Sequence, residues 1–227
     1  TGAVYSHIGF PRTYQAIENN FRFWQNDPEN FSKKIMPWGA LRFIGSYEGY
    51  SLRRGQHKRG DEAMVLYGLG LMLLGEGDKA LAKELYPLLL RSVATIESAM
   101  DKDGVFHSPT DELEQRYPSG NANLANNCLA YKGARLAAKV ARSLGENRDE
   151  NHFISLAKRL EHGIEHHFGD VVEGFQTYQY FRGECDNSKV SKSIDQTTLR
   201  GWICMPLVAG IQQRREETLR AMFSDKL

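Results

Sequence analysis

The hydrophobic residues of this chain recur at helical spacing in paired segments. Between Ala63 and Leu74 the apolar residues fall nearly all round a helix, which is typical of a helix buried on most of its sides. A turn at 75–78 leads into a second segment, from Lys79 to Met100, whose apolar residues lie on one face opposite charged residues. The second segment therefore predicts a half-exposed helix, with a bend at Pro87.

The same pair of segments occurs a second time. After a turn at 101–104 and an irregular polar stretch to about 120, a helix rich in Leu and Ala is predicted from about 122 to 144. A turn at 145–147 then leads into an amphipathic partner helix that ends near Phe168. The order of buried helix, short turn, half-exposed helix and long polar loop is therefore repeated.

A third repeat begins at 195–197. Apolar positions at helical spacing follow from 199 to 211, and a charged helix is predicted to begin near 214 and to continue through 224–227. The three starts recur at roughly 60 to 75 residues, which is typical of stacked helix pairs. Because buried and half-exposed helices alternate, the sequence predicts an all-α fold of helical hairpins, arranged as an (α/α) toroid with inner and outer layers.

Polar segments stand before the predicted inner helices, and they carry a resemblance to a known family. The segments are Lys58-Arg59-Gly60-Asp61-Glu62-Ala63-Met64, Tyr117-Pro118-Ser119-Gly120-Asn121-Ala122-Asn123-Leu124 and Asp195-Gln196-Thr197-Thr198-Leu199-Arg200-Gly201-Trp202. On these segments and its helix rhythm, over about 40–227, the chain resembles the six-hairpin glycosidase-like superfamily. The resemblance implies an (α/α)6 barrel, an active-site funnel lined by the loops before the inner helices, and a mostly inverting glycoside hydrolase.

Chain length bears on how much of such a barrel is present. Six hairpins of about 60 residues each need well over 300 residues, whereas this chain has 227. We therefore expect residues 1–227 to form a single helical-hairpin domain that is an incomplete (α/α)6 barrel, part of a longer catalytic domain. The rest of that longer chain would then be a partner of this part.

Composition and charge narrow the class of ligand. The 29 basic and 28 acidic residues are mixed along the chain and give a net charge of +1, which disfavours nucleic acid and anionic membranes as partners. No apolar run reaches the about 20 residues that span a bilayer, and the first residues lack the pattern of a signal peptide, so a soluble chain is expected. An oligosaccharide or glycoside is the expected partner.

Motifs for metals and nucleotides are missing from the sequence. The 3 cysteines form no C-x-x-C pair, and no phosphate-binding glycine motif or H-E-x-x-H motif occurs. His162 and His166 have the spacing of a metal-binding pair on a helix, but we interpret them, with His167, as histidines of an outer helix. No metal and no cofactor are expected.

Carboxylates near the starts of the inner helices are the candidate acid and base. A glycosidase needs a carboxyl group over the leaving oxygen and a partner carboxylate roughly 5 to 10 Å away. Glu62 and Asp61 open the first inner helix, Glu112 lies in the long polar loop, and Asp195 precedes the third repeat. The structural alternative is that they are helix caps, first-turn acids or solvated loop residues.

Side chains suited to binding a sugar come from the same regions. Hydrogen-bonding groups beside aromatic rings are typical of carbohydrate sites. The candidate substrate-binding residues are His57, Arg59, Glu114, Tyr117, Asn123, Tyr178, Arg200 and Trp38.

Two other functions remain open. A polysaccharide lyase or sugar epimerase would use His57, His107, Asn123 or Tyr117 to move a proton, while the basic run at 53–59 neutralises an acidic sugar. A non-enzymatic helical-repeat scaffold would bind a protein or glycan on its concave face.

Overall fold

The computed structural model describes residues 11–26, 59–108, 122–181 and 198–227. Within these residues the α-helices are α1 (Pro11–Asn26), α2 (Arg59–Glu76), α3 (Lys79–Ser98), α4 (Leu124–Leu144), α5 (Asn147–Gly163), α6 (Met205–Ala209) and α7 (Arg215–Met222). A π-helical turn (Ile164–Phe168), the strands β1 (Gly169–Val172) and β2 (Phe175–Tyr178), and a 3-10 turn (Gly201–Cys204) complete the elements. The described part is thus mainly helical, as predicted.

Two helical hairpins form the centre of the described part. In the first, α2 and α3 meet at Gly77, whose φ is +70°, and the Asp78 carboxylate caps α3 by accepting the backbone N–H of Ala80 at 2.7 Å. In the second, Asn123 caps α4, and Gly145, with φ +82°, ends it before α5 begins. These turns favour glycine because a residue with an L side chain is strained at positive φ.

Burial separates the helices into two kinds. In α4, 14 of 21 residues are buried, against 8 of 20 in α3 and 5 of 17 in α5. In α2, buried and half-buried residues occur all round, and Met64, 37% exposed, is its most open large apolar residue. The predicted alternation of buried and half-exposed helices is therefore confirmed for these two hairpins. No helix in the described ranges is long and apolar enough to cross a membrane.

The two hairpins repeat in the same direction. Leu66 of α2 packs on Gly133 of α4, where an added Cβ would lie 2.9 Å from Leu66 Cγ, and Gly70 packs on Leu136. Residue numbers rise together at both contacts, so the buried helices run parallel.

The half-exposed helices run parallel as well. Tyr86 of α3 donates a hydrogen bond to Asp149 of α5 at 2.8 Å, and further along Glu97 pairs with His152 at 3.0 Å. In stacked hairpins, the corresponding helices of successive repeats run parallel, as they do here. Closure into a toroid stays a prediction.

Helix α1 packs on α3 beside Pro87, a proline in the interior of α3. Proline removes a backbone donor and crowds the preceding turn, yet α3 continues through Pro87. Glu84 and Leu88 stand four residues apart in α3, on either side of Pro87. The Gln25 amide donates a hydrogen bond to the Glu84 carbonyl and accepts one from the Leu88 N–H, each at 3.1 Å. Arg22 also pairs with the Glu84 carboxylate at 2.6 Å. Gln25 thus supports the backbone beside Pro87.

We expect Gln25→Ala to lower the free energy of unfolding by about 1 to 2 kcal/mol, because the Leu88 N–H loses its acceptor. In a Pro87→Ala background, where the helical ladder can re-form, the same change should cost clearly less. Urea unfolding of the original protein, Gln25→Ala, Pro87→Ala and the double variant gives the cost of Gln25→Ala in each background. Equal losses in the two backgrounds would contradict the role given to Gln25.

The third repeat differs from the prediction. Instead of one helix over 199–211, the chain forms the 3-10 turn and then the five-residue α6. Pro206 stands in the first turn of α6, where a proline is tolerated, and Gly210, with φ +96°, ends the helix. A long inner helix is therefore not formed in 198–211, where the repeat pattern implied one. The predicted charged helix is present as α7, but it ends at Met222 and does not continue through 224–227.

The β-hairpin was not predicted. Its strands pair antiparallel from Gly169–Tyr178 to Val172–Phe175. The two turn residues, Glu173 and Gly174, have φ of +49° and +92°, as a tight two-residue hairpin turn requires. This hairpin connects the end of α5 to the region where the candidate site lies.

Candidate functional site

The end of the molecule at which α4 begins carries several connecting segments. Since α5 folds back along α4, the π-helical turn and the β-hairpin return to the start of α4. There Leu124 donates its backbone N–H to the Tyr180 carbonyl at 2.7 Å, and Asn123 forms a β-bridge with Phe181. The loop after α3 reaches the same place, because Ser108 accepts a hydrogen bond from Asn126 at 3.2 Å.

Glu165 is a buried acid near the start of α4. It lies in the π-helical turn and is 7% exposed. One carboxylate oxygen accepts the hydroxyl of Tyr178, and the other accepts Nε of Arg214 at 3.1 Å. The Tyr178 hydroxyl is the donor in this pair, and burial, followed by the hydrogen bond to Glu165, raises the pKa of Tyr178. π-Helical turns often occur at functional sites.

Arg214 is fixed by three neighbours. Besides its bond to Glu165, the guanidinium donates to Oε1 of Gln176 at 3.1 Å and lies 5.8 Å from the ring centroid of Tyr178. Gly169 leaves room for it, since an added Cβ there would lie 2.6 Å from Arg214 Nε. The guanidinium is therefore held in one position by an ion pair, an amide and a ring.

An open cleft of about 610 Å³ lies beside these groups, and we call it the Glu165 cleft. It is lined by Glu165, Gln176, Gln212, Gln213, Arg214, Arg215, Glu216 and Glu217. All eight side chains are carboxylates, carboxamides or guanidiniums, so the cleft offers both donors and acceptors. Such a surface suits a ligand with many hydroxyl groups more than an apolar one.

The first predicted acid does not line the Glu165 cleft. Glu62, 7% exposed, accepts the hydroxyl of Ser92 at 2.6 Å, so its carboxylate is directed at α3. The backbone of Arg59 and Asp61 forms the first turn of α2. The arrangement of Glu62 and Ser92 is that of a satisfied buried acid between two helices.

Three predicted binding residues come together at the start of α4. Tyr178 lies beneath Arg214 and also lines a small recess with Arg200 and Tyr180. Asn123 is fully buried, and its side chain accepts the backbone N–H of Asn126 at 2.8 Å, which makes it a helix cap. Predicted site residues outside the described residues are Trp38, His57, Glu112, Glu114, Tyr117 and Asp195.

The histidines form a second polar group. The rings of His162 and His166 lie with centroids 4.1 Å apart beside a cavity of about 320 Å³ that Asp101 and Asp103 also line. In the described part of the chain, no three His, Cys, Asp or Glu residues are grouped so that they can hold a metal ion.

Comparison of the chain with protein-family models, with curated proteins and with solved structures found no match. The function of the protein is therefore inferred from the site itself.

Proposed function

We propose that this protein is a carbohydrate-active enzyme, specifically a glycoside hydrolase, and that its sugar-binding surface is the Glu165 cleft. The observation that carries the proposal is the lining of that cleft, in which carboxylate, amide and guanidinium groups stand side by side. Sugar hydroxyls donate to carboxylates and accept from amides and guanidiniums, and a rigid arrangement of such groups gives specificity.

The position of the cleft also supports the proposal. It lies at the end where α4 begins, which is where the sequence predicts the sugar site. Ser108, the last described residue before the segment that contains Glu112, is hydrogen-bonded to Asn126 in the first turn of α4. Thr198 follows Asp195 closely and lines the recess beside Tyr178. Segments flanking two predicted carboxylates thus reach this end.

Roles for the carboxylates follow from their surroundings. Both oxygens of Glu165 are engaged, by Tyr178 and Arg214, so Glu165 positions Arg214 and does not deliver a proton. Glu62 is engaged by Ser92 on the other hairpin. In this proposal Glu112 and Asp195, two of the remaining candidate carboxylates beside Asp61, are the general acid and the base that activates water.

Incubation of the protein with neutral and uronate-containing oligosaccharides tests the proposal. We expect reducing-end hydrolysis products, with kcat lowered about 10²- to 10⁴-fold in Glu112→Gln and in Asp195→Asn. Glu62→Gln, whose acid is bound to Ser92, is the matched control and should keep most of its kcat. Chromatography with mass analysis identifies the products.

Two results would contradict this function. Unsaturated uronate products, seen by their ultraviolet absorbance, would indicate a lyase. Absence of turnover across the panel, with binding intact, would indicate a helical scaffold.

A further inference from the structure

The Glu165 cleft has no surplus of positive charge. Its lining contains two arginines and three glutamates. Arg214 pairs with Glu165 at 3.1 Å, and Arg215 lies 3.6 Å from Glu216. The third acid, Glu217, pairs with Arg220 next to the cleft at 2.5 Å. Each formal charge at the cleft therefore has an opposite charge beside it.

The best-placed cation is already committed to a buried partner. Arg214 is 24% exposed and Glu165 is 7% exposed. A ligand carboxylate that took over Arg214 would leave the buried Glu165 carboxylate with the Tyr178 hydroxyl but without its counterion, which is strongly unfavourable. The other cleft arginine, Arg215, has an exposed side chain and is flanked by Glu216, so it attracts an anion only weakly.

An uncharged polyol meets none of these obstacles. Gln176, Gln212 and Gln213 contribute amides that both donate and accept, and the carboxylates of Glu216 and Glu217 are acceptors for hydroxyl groups. Hydroxyls can bind to paired ions without separating them.

We infer that the Glu165 cleft selects uncharged oligosaccharides and discriminates against sugars that carry a carboxylate. The inference rests on the proposed function and narrows its substrate class to neutral glycans. It also separates the hydrolase from a lyase or epimerase acting on uronates, since those need an acidic sugar in the site.

Matched sugar pairs provide the test. Gluco-, manno- and galacto-trisaccharides are compared with trisaccharides of glucuronic, mannuronic and galacturonic acid, which differ only at C6, by titration calorimetry at low salt. We expect at least one neutral member to bind. Its acidic counterpart should bind about tenfold or more weakly, because the lining has one more carboxylate than guanidinium and Arg214 is already paired with Glu165. High salt should reduce the ratio of the acidic sugar's Kd to the neutral sugar's Kd, since exposed charges are screened.

Two variants connect the ratio to the cleft. Glu216→Gln combined with Glu217→Gln should reduce the ratio of acidic to neutral Kd about threefold or more, by removing two negative charges. Asp225→Asn removes an exposed acid that does not line the cleft, and it should leave the ratio unchanged.

Each result has a distinct meaning. Uronates that bind as tightly as their neutral counterparts, or a ratio that neither salt nor the double variant changes, would overturn the selectivity while leaving a sugar-binding protein. Failure of every trisaccharide to bind would overturn the proposed function, and the selectivity with it.

Discussion

Replacing Gly163 by alanine is expected to lower the free energy of unfolding by about 2 kcal/mol or more, although alanine normally stabilises a helix relative to glycine. Gly163 is the last residue of α5, and a Cβ there would lie 2.3 Å from the carbonyl oxygen of Gly104 and 2.5 Å from its carbon. The obstacle is backbone in the loop after α3, which cannot turn aside as a side chain can. Denaturant unfolding measures the loss.

Gly68→Ala in α2 is the matched control. There the added Cβ would lie 3.6 Å from Cζ of Phe21, an ordinary contact. Normal helix propensity should then apply, with a gain of about 0.5 to 1 kcal/mol. If both alanines stabilise the protein, the close approach of Gly104 and Gly163 is wrong.

Arg214→Leu is expected to destabilise the protein by about 2 to 4 kcal/mol, because it leaves the buried Glu165 carboxylate without its counterion. The double variant Glu165→Gln with Arg214→Leu should recover most of this loss, since a glutamine carries no charge and can still accept the Tyr178 hydroxyl. Thermal or urea unfolding of the original protein, the two single variants and the double variant gives the coupling energy between Glu165 and Arg214.

Arg215→Leu serves as the control for this cycle. The Arg215 side chain is exposed, so its loss should change the free energy of unfolding by less than about 0.5 kcal/mol. The Glu165–Arg214 pairing would be contradicted if the double variant were no more stable than Arg214→Leu alone.

Local signals along the chain were enough to predict the two hairpins. Asp78 and Asn123 are capping residues, and Gly77 and Gly145 supply the positive φ at which helices turn. Periodicity then indicated which helices are buried, because that depends on residues three and four positions apart. Pro206 was also a usable signal, since a proline disfavours the interior of a long helix.

The composition of the site could not be predicted in this way. Glu165 occupies a polar position in an amphipathic pattern and Arg214 belongs to a charged run, so neither stands out in the sequence. Their partnership joins residues 49 positions apart, and Tyr178 lies 13 positions from Glu165. Only the tertiary fold brings them together, through a π-helical turn and a β-hairpin that helical periodicity does not predict. Of these three residues, Tyr178 alone was a candidate, for its aromatic ring.

Hydrogen–deuterium exchange with and without a saturating neutral trisaccharide shows whether the Glu165 cleft is the sugar-binding surface. If it is, we expect slower exchange at 164–178 and 212–217, which contribute the lining, with little change at the middle of α3. Protection confined to the first turns of α2 around Glu62, or no protection at all, would contradict it.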